Sequence, residues 1–158
     1  MTVEHTNVTI LIAEDDDGHA ELILEQLRSA GVSNEIIRFQ DGQKLWDYLV
    51  TEGRRTSRFD SHGFLLLLDI VMPRLDGLEI LQRIKTDKQW HNLPIIMLTT
   101  TNDPREIDKC YTLGCNCYIT KPMEYERFAG TLKKLGLSLM VVPTPKTPPQ
   151  DGQGGQQI

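Results

Sequence analysis

The sequence predicts an α/β fold, a parallel sheet with helices on both faces. Three observations lead there. Five short apolar runs alternate with five longer amphipathic segments, the pattern of successive strand–helix units. The run at residues 64–68 is apolar without interruption, as a central strand covered on both faces requires. Polar residues follow each apolar run, and in open sheets of this type ligands bind at the carboxyl ends of the strands.

Taken in order, residues 8–13 form a buried strand that stops at Glu14-Asp15-Asp16-Asp17. Asp16 or Asp17 caps a helix over 18–30 with Ala20, Ile23, Leu24 and Leu27 on one face, and Gly31 ends it as a left-handed cap. A second strand spans 35–39. A second helix spans 41–50 with Leu45, Trp46 and Leu49 inward. Residues 51–63 are polar, basic and rich in turn formers, so they read as a long loop that solvates Arg54, Arg55 and Arg58. The third strand, 64–68, ends at Asp69. Pro73 delays the next helix to 76–87. The fourth strand is 94–98 and ends at Thr99-Thr100-Thr101. Asp103-Pro104 is a strong helix start, and that helix runs to Leu113 and stops at Gly114. A short fifth strand, 117–119, leads to Lys121-Pro122, and a last helix begins near Glu124 and reaches residue 135 or beyond.

At 158 residues the chain has room for one domain. Hydrophobic residues at 39% and charged residues at 25% are those of a soluble globular protein. No apolar run reaches the length of a membrane span, and residues 1–7 lack the apolar core of a secretory signal, so a cytoplasmic location is expected. A net charge of −5 argues against a nucleic-acid partner. Cys110, Cys115 and Cys117 are odd in number and lack paired zinc spacing, so they read as packing thiols in a reduced compartment. From Pro143 the chain turns Pro-, Gly- and Gln-rich. Residues 143–158 are expected to be a disordered tail, leaving 1–7 as an N-terminal extension and 8–142 as the folded domain.

The polar residues at the strand ends are Glu14 and Asp15, Asp69, Thr99 and Lys121. Taken singly, each has an ordinary structural reading as turn, cap or surface chemistry. Together, they converge on one edge of a doubly wound sheet. Carboxylates sharing a cleft repel one another unless a cation joins them, and hard oxygen ligands suit Mg²⁺. A carboxylate beside that metal can act as nucleophile toward a phosphoryl group. The Lys121 ammonium can neutralise phosphoryl oxygens, and the Thr99 hydroxyl can donate to one. Asp16 and Asp17 belong to the helix start, where carboxylates favour the dipole.

The motifs Ile-Leu-Ile-Ala-Glu-Asp-Asp at 10–16, Leu-Leu-Asp-Ile-Val-Met-Pro-Arg-Leu-Asp-Gly at 67–77, Met-Leu-Thr-Thr at 97–100 and Tyr-Ile-Thr-Lys-Pro at 118–122 resemble the receiver domain of two-component response regulators, over roughly residues 7–135. The resemblance implies a flavodoxin-like (βα)5 fold with strand order 2-1-3-4-5. It implies Asp69 as phosphoacceptor, a Mg²⁺ cofactor held by Asp15, Asp69 and the Val71 backbone carbonyl with Glu14 acting through water, and Lys121 and Thr99 on the phosphoryl group. It also implies a cis Lys121–Pro122 bond and a switch in which Tyr118 changes rotamer as Thr99 is drawn toward the phosphoryl group. A receiver accepts a phosphoryl group rather than turning over a substrate, so no enzyme activity is expected beyond its own phosphorylation and dephosphorylation.

Finer features are similar to the single-domain response regulators paired with bacterial and cyanobacterial phytochromes: residues 51–63, 102–108, 114–122 and 135–140. That resemblance implies a sensor histidine kinase partner governed by a bilin photoreceptor. It also implies a homodimer through the face made by the fourth helix, fifth strand and fifth helix, together with the C-terminal segment. The apolar run Leu135, Leu137, Leu139, Met140, Val141 and Val142 is independently expected to need a covering surface, its own domain or a second copy. With only a short tail after the last helix, output by protein contact or onward phosphoryl transfer is expected. Two other functions stay open: a Mg²⁺-dependent phosphohydrolase with Asp69 as nucleophile, which would place an acid two residues on where Val71 stands, and a scaffold with a degenerate site.

Overall fold

The computed structural model describes residues 8–55, 63–100, 102–121 and 124–134. Five strands alternate with five helices: β1 (Thr9–Ala13), α1 (Asp17–Ser29), β2 (Ile36–Phe39), α2 (Gly42–Arg55), β3 (Phe64–Asp69), α3 (Gly77–Lys85), β4 (Ile95–Thr99), α4 (Pro104–Leu113), β5 (Cys117–Thr120) and α5 (Tyr125–Lys134). All neighbouring strands pair in parallel, in the order β2-β1-β3-β4-β5, the predicted flavodoxin-like arrangement. The order reverses between β1 and β3, which opens a crevice at their carboxyl ends.

Strand alternation divides the core into two layers. Ile10, Ile12, Leu65, Leu67, Ile96 and Leu98 face Ile23 and Leu27 of α1 and Phe128 of α5. Leu11, Leu66, Leu68, Ile95 and Met97 face Leu45 and Leu49 of α2, Ile80, Leu81 and Ile84 of α3, and Cys110 of α4. Leu65 to Leu68 are all fully buried, because consecutive residues of β3 face opposite helical layers and neither face meets water.

The helix signals hold at residue level. Asp16 caps α1 by accepting from the His19 N–H at 2.9 Å. Asp76 and Glu79 form a reciprocal capping box on α3. Asp103 caps α4 with Pro104 in its first turn, and Gly114 ends it at φ 107°, a conformation only glycine adopts without strain. Gly31 does the same after α1 at φ 87°.

One expectation is corrected. The loop predicted from residue 51 starts later, because α2 continues through Arg55 and carries Arg54 and Arg55 in its last turn. Gly53 suggested a turn, but one glycine costs a helix only about 1 kcal/mol, and each added residue contributes another backbone bond. The Thr51 hydroxyl donates to the Asp47 carbonyl at 2.9 Å within that extension. Residues 1–7, Arg58, Pro122 and 135–158 lie outside the described residues, and with them the N-terminal extension, the cis bond, the apolar C-terminal segment and the tail.

The turn from β3 into α3 packs without slack. A Cβ on Gly77 would stand 2.2 Å from the Asp69 carbonyl oxygen, while the Gly77 N–H donates to the Ile70 carbonyl at 2.7 Å. Both contacts are backbone and cannot yield as a side chain can. Gly77→Ala is therefore expected to lower stability by about 1–3 kcal/mol, seen as a lower urea midpoint with unchanged slope; an unaltered midpoint would contradict this packing.

Candidate functional site

The end of β1 delivers the first acids. Glu14 is 1% exposed, and one carboxylate oxygen, Oε2, accepts from the Asp16 N–H at 3.1 Å. Asp15 follows and is exposed. Asp16 is spent on the cap of α1 and Asp17 pairs with Arg38 at 2.8 Å.

Asp69 closes β3 and is 7% exposed. Its Oδ1 accepts from the Ile70 N–H at 2.9 Å, which fixes the carboxyl against its own backbone. Glu14, Asp15 and Asp69 each bring a carboxylate oxygen within 4.8 Å of the others, and they are the one such group of potential metal ligands among the described residues. Burial, then the nearby charge of Glu14, raises the Asp69 carboxyl to about 6, with Lys121 partly opposing.

Lys121 enters from the end of β5, its backbone N–H donating to the Thr99 carbonyl at 2.7 Å. Its ammonium meets Glu14 Oε1 at 2.5 Å, Asp69 Oδ1 at 3.3 Å and His19 Nδ1 at 3.1 Å. Three acceptors match the three protons of an ammonium. With the lysine charged, His19 Nδ1 serves as an acceptor.

Thr99 is 3% exposed at the end of β4. Its side chain is hydrogen-bonded to Tyr118, whose ring is buried in the layer facing α4 and whose hydroxyl is raised above its ordinary pKa chiefly by that burial. The two side chains named as a switch pair are thus in contact. Val71, two residues past Asp69, is 74% exposed.

Three residues with long-range polar contacts were not singled out in the sequence. His19 stands five residues past Glu14 on the first turn of α1, where a lone histidine carries no motif. Arg38 lies near the end of β2 and donates to the Glu14 carbonyl. Arg74, in the loop after β3, has φ 70° and donates to Asp41 at 3.2 Å. Asp41 in turn accepts from the Lys44 N–H at 2.8 Å at the start of α2, and that bond, then Arg74, holds its carboxyl below the usual carboxylate range. The cysteines take no part: Cys110 and Cys115 are buried, with thiols pushed up by that burial to about 11 and about 12.

The donor set fits a hard divalent cation. It offers carboxylate oxygens, leaves Asp15 open to solvent, and carries more negative charge than one ammonium can balance.

A family model described as the response regulator receiver domain matches residues 10–133. Among solved structures, the chain resembles the bacteriophytochrome response regulator RtBRR at 35% identity and TM-score 0.72, covering 89% of this chain and 85% of that one. It resembles the bacteriophytochrome response regulator AtBRR at 29% identity and TM-score 0.73, covering 87% and 99%. It is 31% identical over 112 residues to the response regulator Rcp1 of Synechocystis sp., 71% of this chain and 75% of that protein. The Mn²⁺-bound form of Rcp1 superposes with TM-score 0.65 at 27% identity, covering 87% and 99%. No helix among the described residues is long and apolar enough to cross a membrane.

Because burial and the Glu14 charge disfavour the ionised form of Asp69, removing that charge should relieve the fold. Asp69→Asn is expected to raise stability by about 1–2 kcal/mol in metal-free buffer at neutral pH, and saturating Mg²⁺ should narrow the gap by stabilising the wild type. A urea midpoint at or below that of wild type without metal would contradict the electrostatic account.

Proposed function

The chain belongs to the response regulator receiver family, and from that premise we propose that it is a phosphorylation switch with Asp69 as the phosphoacceptor. The observation that carries the reading is the convergence of Glu14, Asp15 and Asp69 around the Lys121 ammonium at the sheet's switch point. Asp15, Asp69 and the Val71 carbonyl would hold Mg²⁺ directly, with Glu14 through water. The metal would supply charge neutralisation on the phosphoryl oxygens.

In this reading an Asp69 carboxylate oxygen attacks the phosphorus of a phosphohistidine on a sensor kinase. The P–N bond breaks, its electron pair stays on the imidazole, and the imidazole takes a proton from water. Lys121 leaves its bridge between Glu14 and Asp69 to face a phosphoryl oxygen, and Thr99 donates to another. Thr99 already contacts Tyr118, so moving the hydroxyl toward the phosphoryl group changes what the tyrosine packs against. Two packings a few kcal/mol apart suffice for such a switch.

The likeness to the bacteriophytochrome response regulators RtBRR and AtBRR supports a phytochrome-type histidine kinase as donor. It also supports a single-domain regulator that signals by protein contact or by passing the phosphoryl group onward in the cytoplasm. A homodimer through α4, β5 and α5 with the C-terminal segment completes the proposal. Tyr111, 48% exposed on α4, belongs to that face.

The test is acetyl phosphate with Mg²⁺, read by intact mass. One phosphoryl group is expected on wild type and none on Asp69→Asn. Hydrolysis without an adduct would replace the switch by a phosphohydrolase, and absence of both, with acetyl phosphate and with a phosphorylated bacteriophytochrome kinase, would leave a scaffold. The Val71 side chain has no polar atom to orient an attacking water, so the adduct should persist for minutes; decay within seconds would refute that role. Sedimentation at micromolar concentration should show a dimer, and a strictly monomeric species with and without acetyl phosphate would exclude it.

A further inference from the structure

Arg38 is the third residue of β2, and its guanidinium lies across the end of β1. Nε and Nη2 both donate to the Glu14 backbone carbonyl, at 3.0 and 2.7 Å, and Nη1 donates to Asp17 Oδ1 at 2.8 Å. The side chain is only 21% exposed. The carbonyl it grips belongs to the peptide that joins Glu14 to Asp15. A peptide unit is planar, so holding that oxygen fixes the plane from which Asp15 departs.

Glu14 is thereby held at every polar point. Its N–H donates to the Phe39 carbonyl at 3.1 Å, its carbonyl is on Arg38, and its carboxylate oxygens are on Lys121 and the Asp16 N–H. Asp15, by contrast, is exposed; its place near Asp69 depends on the backbone that carries it.

We propose that Arg38 is a positioning residue for the divalent cation: by clamping the Glu14–Asp15 peptide, it holds the Asp15 carboxylate where it and Asp69 can share one ion. The proposal rests on reading the three carboxylates as a metal site. An ion pair with the exposed Asp17 would contribute little by itself, and it would use one of the guanidinium's donors and leave the fork on the carbonyl without a purpose. The sign of the effect separates positioning from charge. A guanidinium near the acids repels an incoming cation, so on charge alone its loss tightens metal binding. Positioning gives the opposite.

The probe is Mn²⁺, with the free ion counted by electron paramagnetic resonance. Arg38→Ala is expected to weaken Mn²⁺ binding about tenfold, the usual size of the effect for residues that orient metal ligands. Arg38→Gln is equally uncharged but keeps an N–H donor for the same carbonyl, and it should recover part of the loss. At saturating Mn²⁺, labelling of Asp69 by acetyl phosphate should return close to the wild-type rate, because the defect lies in holding the ion. Circular dichroism and the urea midpoint check the fold; if Arg38→Ala does not fold, Arg38→Gln carries the test and must bind more weakly than wild type. Binding as tight as wild type, or tighter, in the folded variant overturns the proposal alone. A wild type that binds no Mn²⁺, or binds it equally after Asp15→Asn, overturns the metal reading and the proposal together.

Discussion

Like charges brought together at the end of a buried sheet are the constraint around which this molecule is organised. Glu14 and Asp69 are nearly inaccessible, and Asp15 shares their corner. Carboxylates so placed repel one another and lose hydration, and the raised Asp69 carboxyl records both costs. Lys121 offsets part of that cost by lying between two of the acids. The remainder is a stored preference for a cation or for a group that recruits one.

Holding that tension requires a rigid frame. The central strand β3 is covered on both faces, so Asp69 projects from a strand packed against both helical layers. The loops around it are braced by contacts with little room to relax: Gly77 against the Asp69 carbonyl, Gly42 against that of Leu75, and Arg74 tied to the buried Asp41 in a left-handed backbone conformation. A non-glycine residue in that region costs about 1–2 kcal/mol, and the Asp41 contact helps to hold it. These braces lie where α2 and α3 begin and in the loop that leads into α3.

Legibility in the sequence followed the range of the interactions. The alternation of elements, the cap at Asp16 or Asp17, the helix start at Asp103-Pro104 and the stop at Gly114 all depend on neighbours a few residues away, and they could be read directly; the Asp76 capping box was not. The end of α2 could not. Its continuation past Val50 depends on cooperative propagation through a glycine, while local composition spoke for a loop. His19 and Arg38 escaped for a different reason. Each is one polar residue without a motif, and its partner lies across the sheet or on another strand, as Arg38 does with Glu14 over 24 residues of chain.

By itself the sequence determined the fold class, the identity of the acids at the strand ends and the order in which they appear, because periodicity and capping are written in local chemistry. The corner itself was decided by tertiary structure. Parallel pairing in the order β2-β1-β3-β4-β5 brings residues 14, 69 and 121 together, and only then do Lys121 choose both acids as partners, Thr99 meet Tyr118 and Arg38 close on the Glu14 carbonyl. Charge repulsion, burial and hydrogen-bond geometry act between atoms that are near in space, and the chain acquires those distances only when the sheet forms.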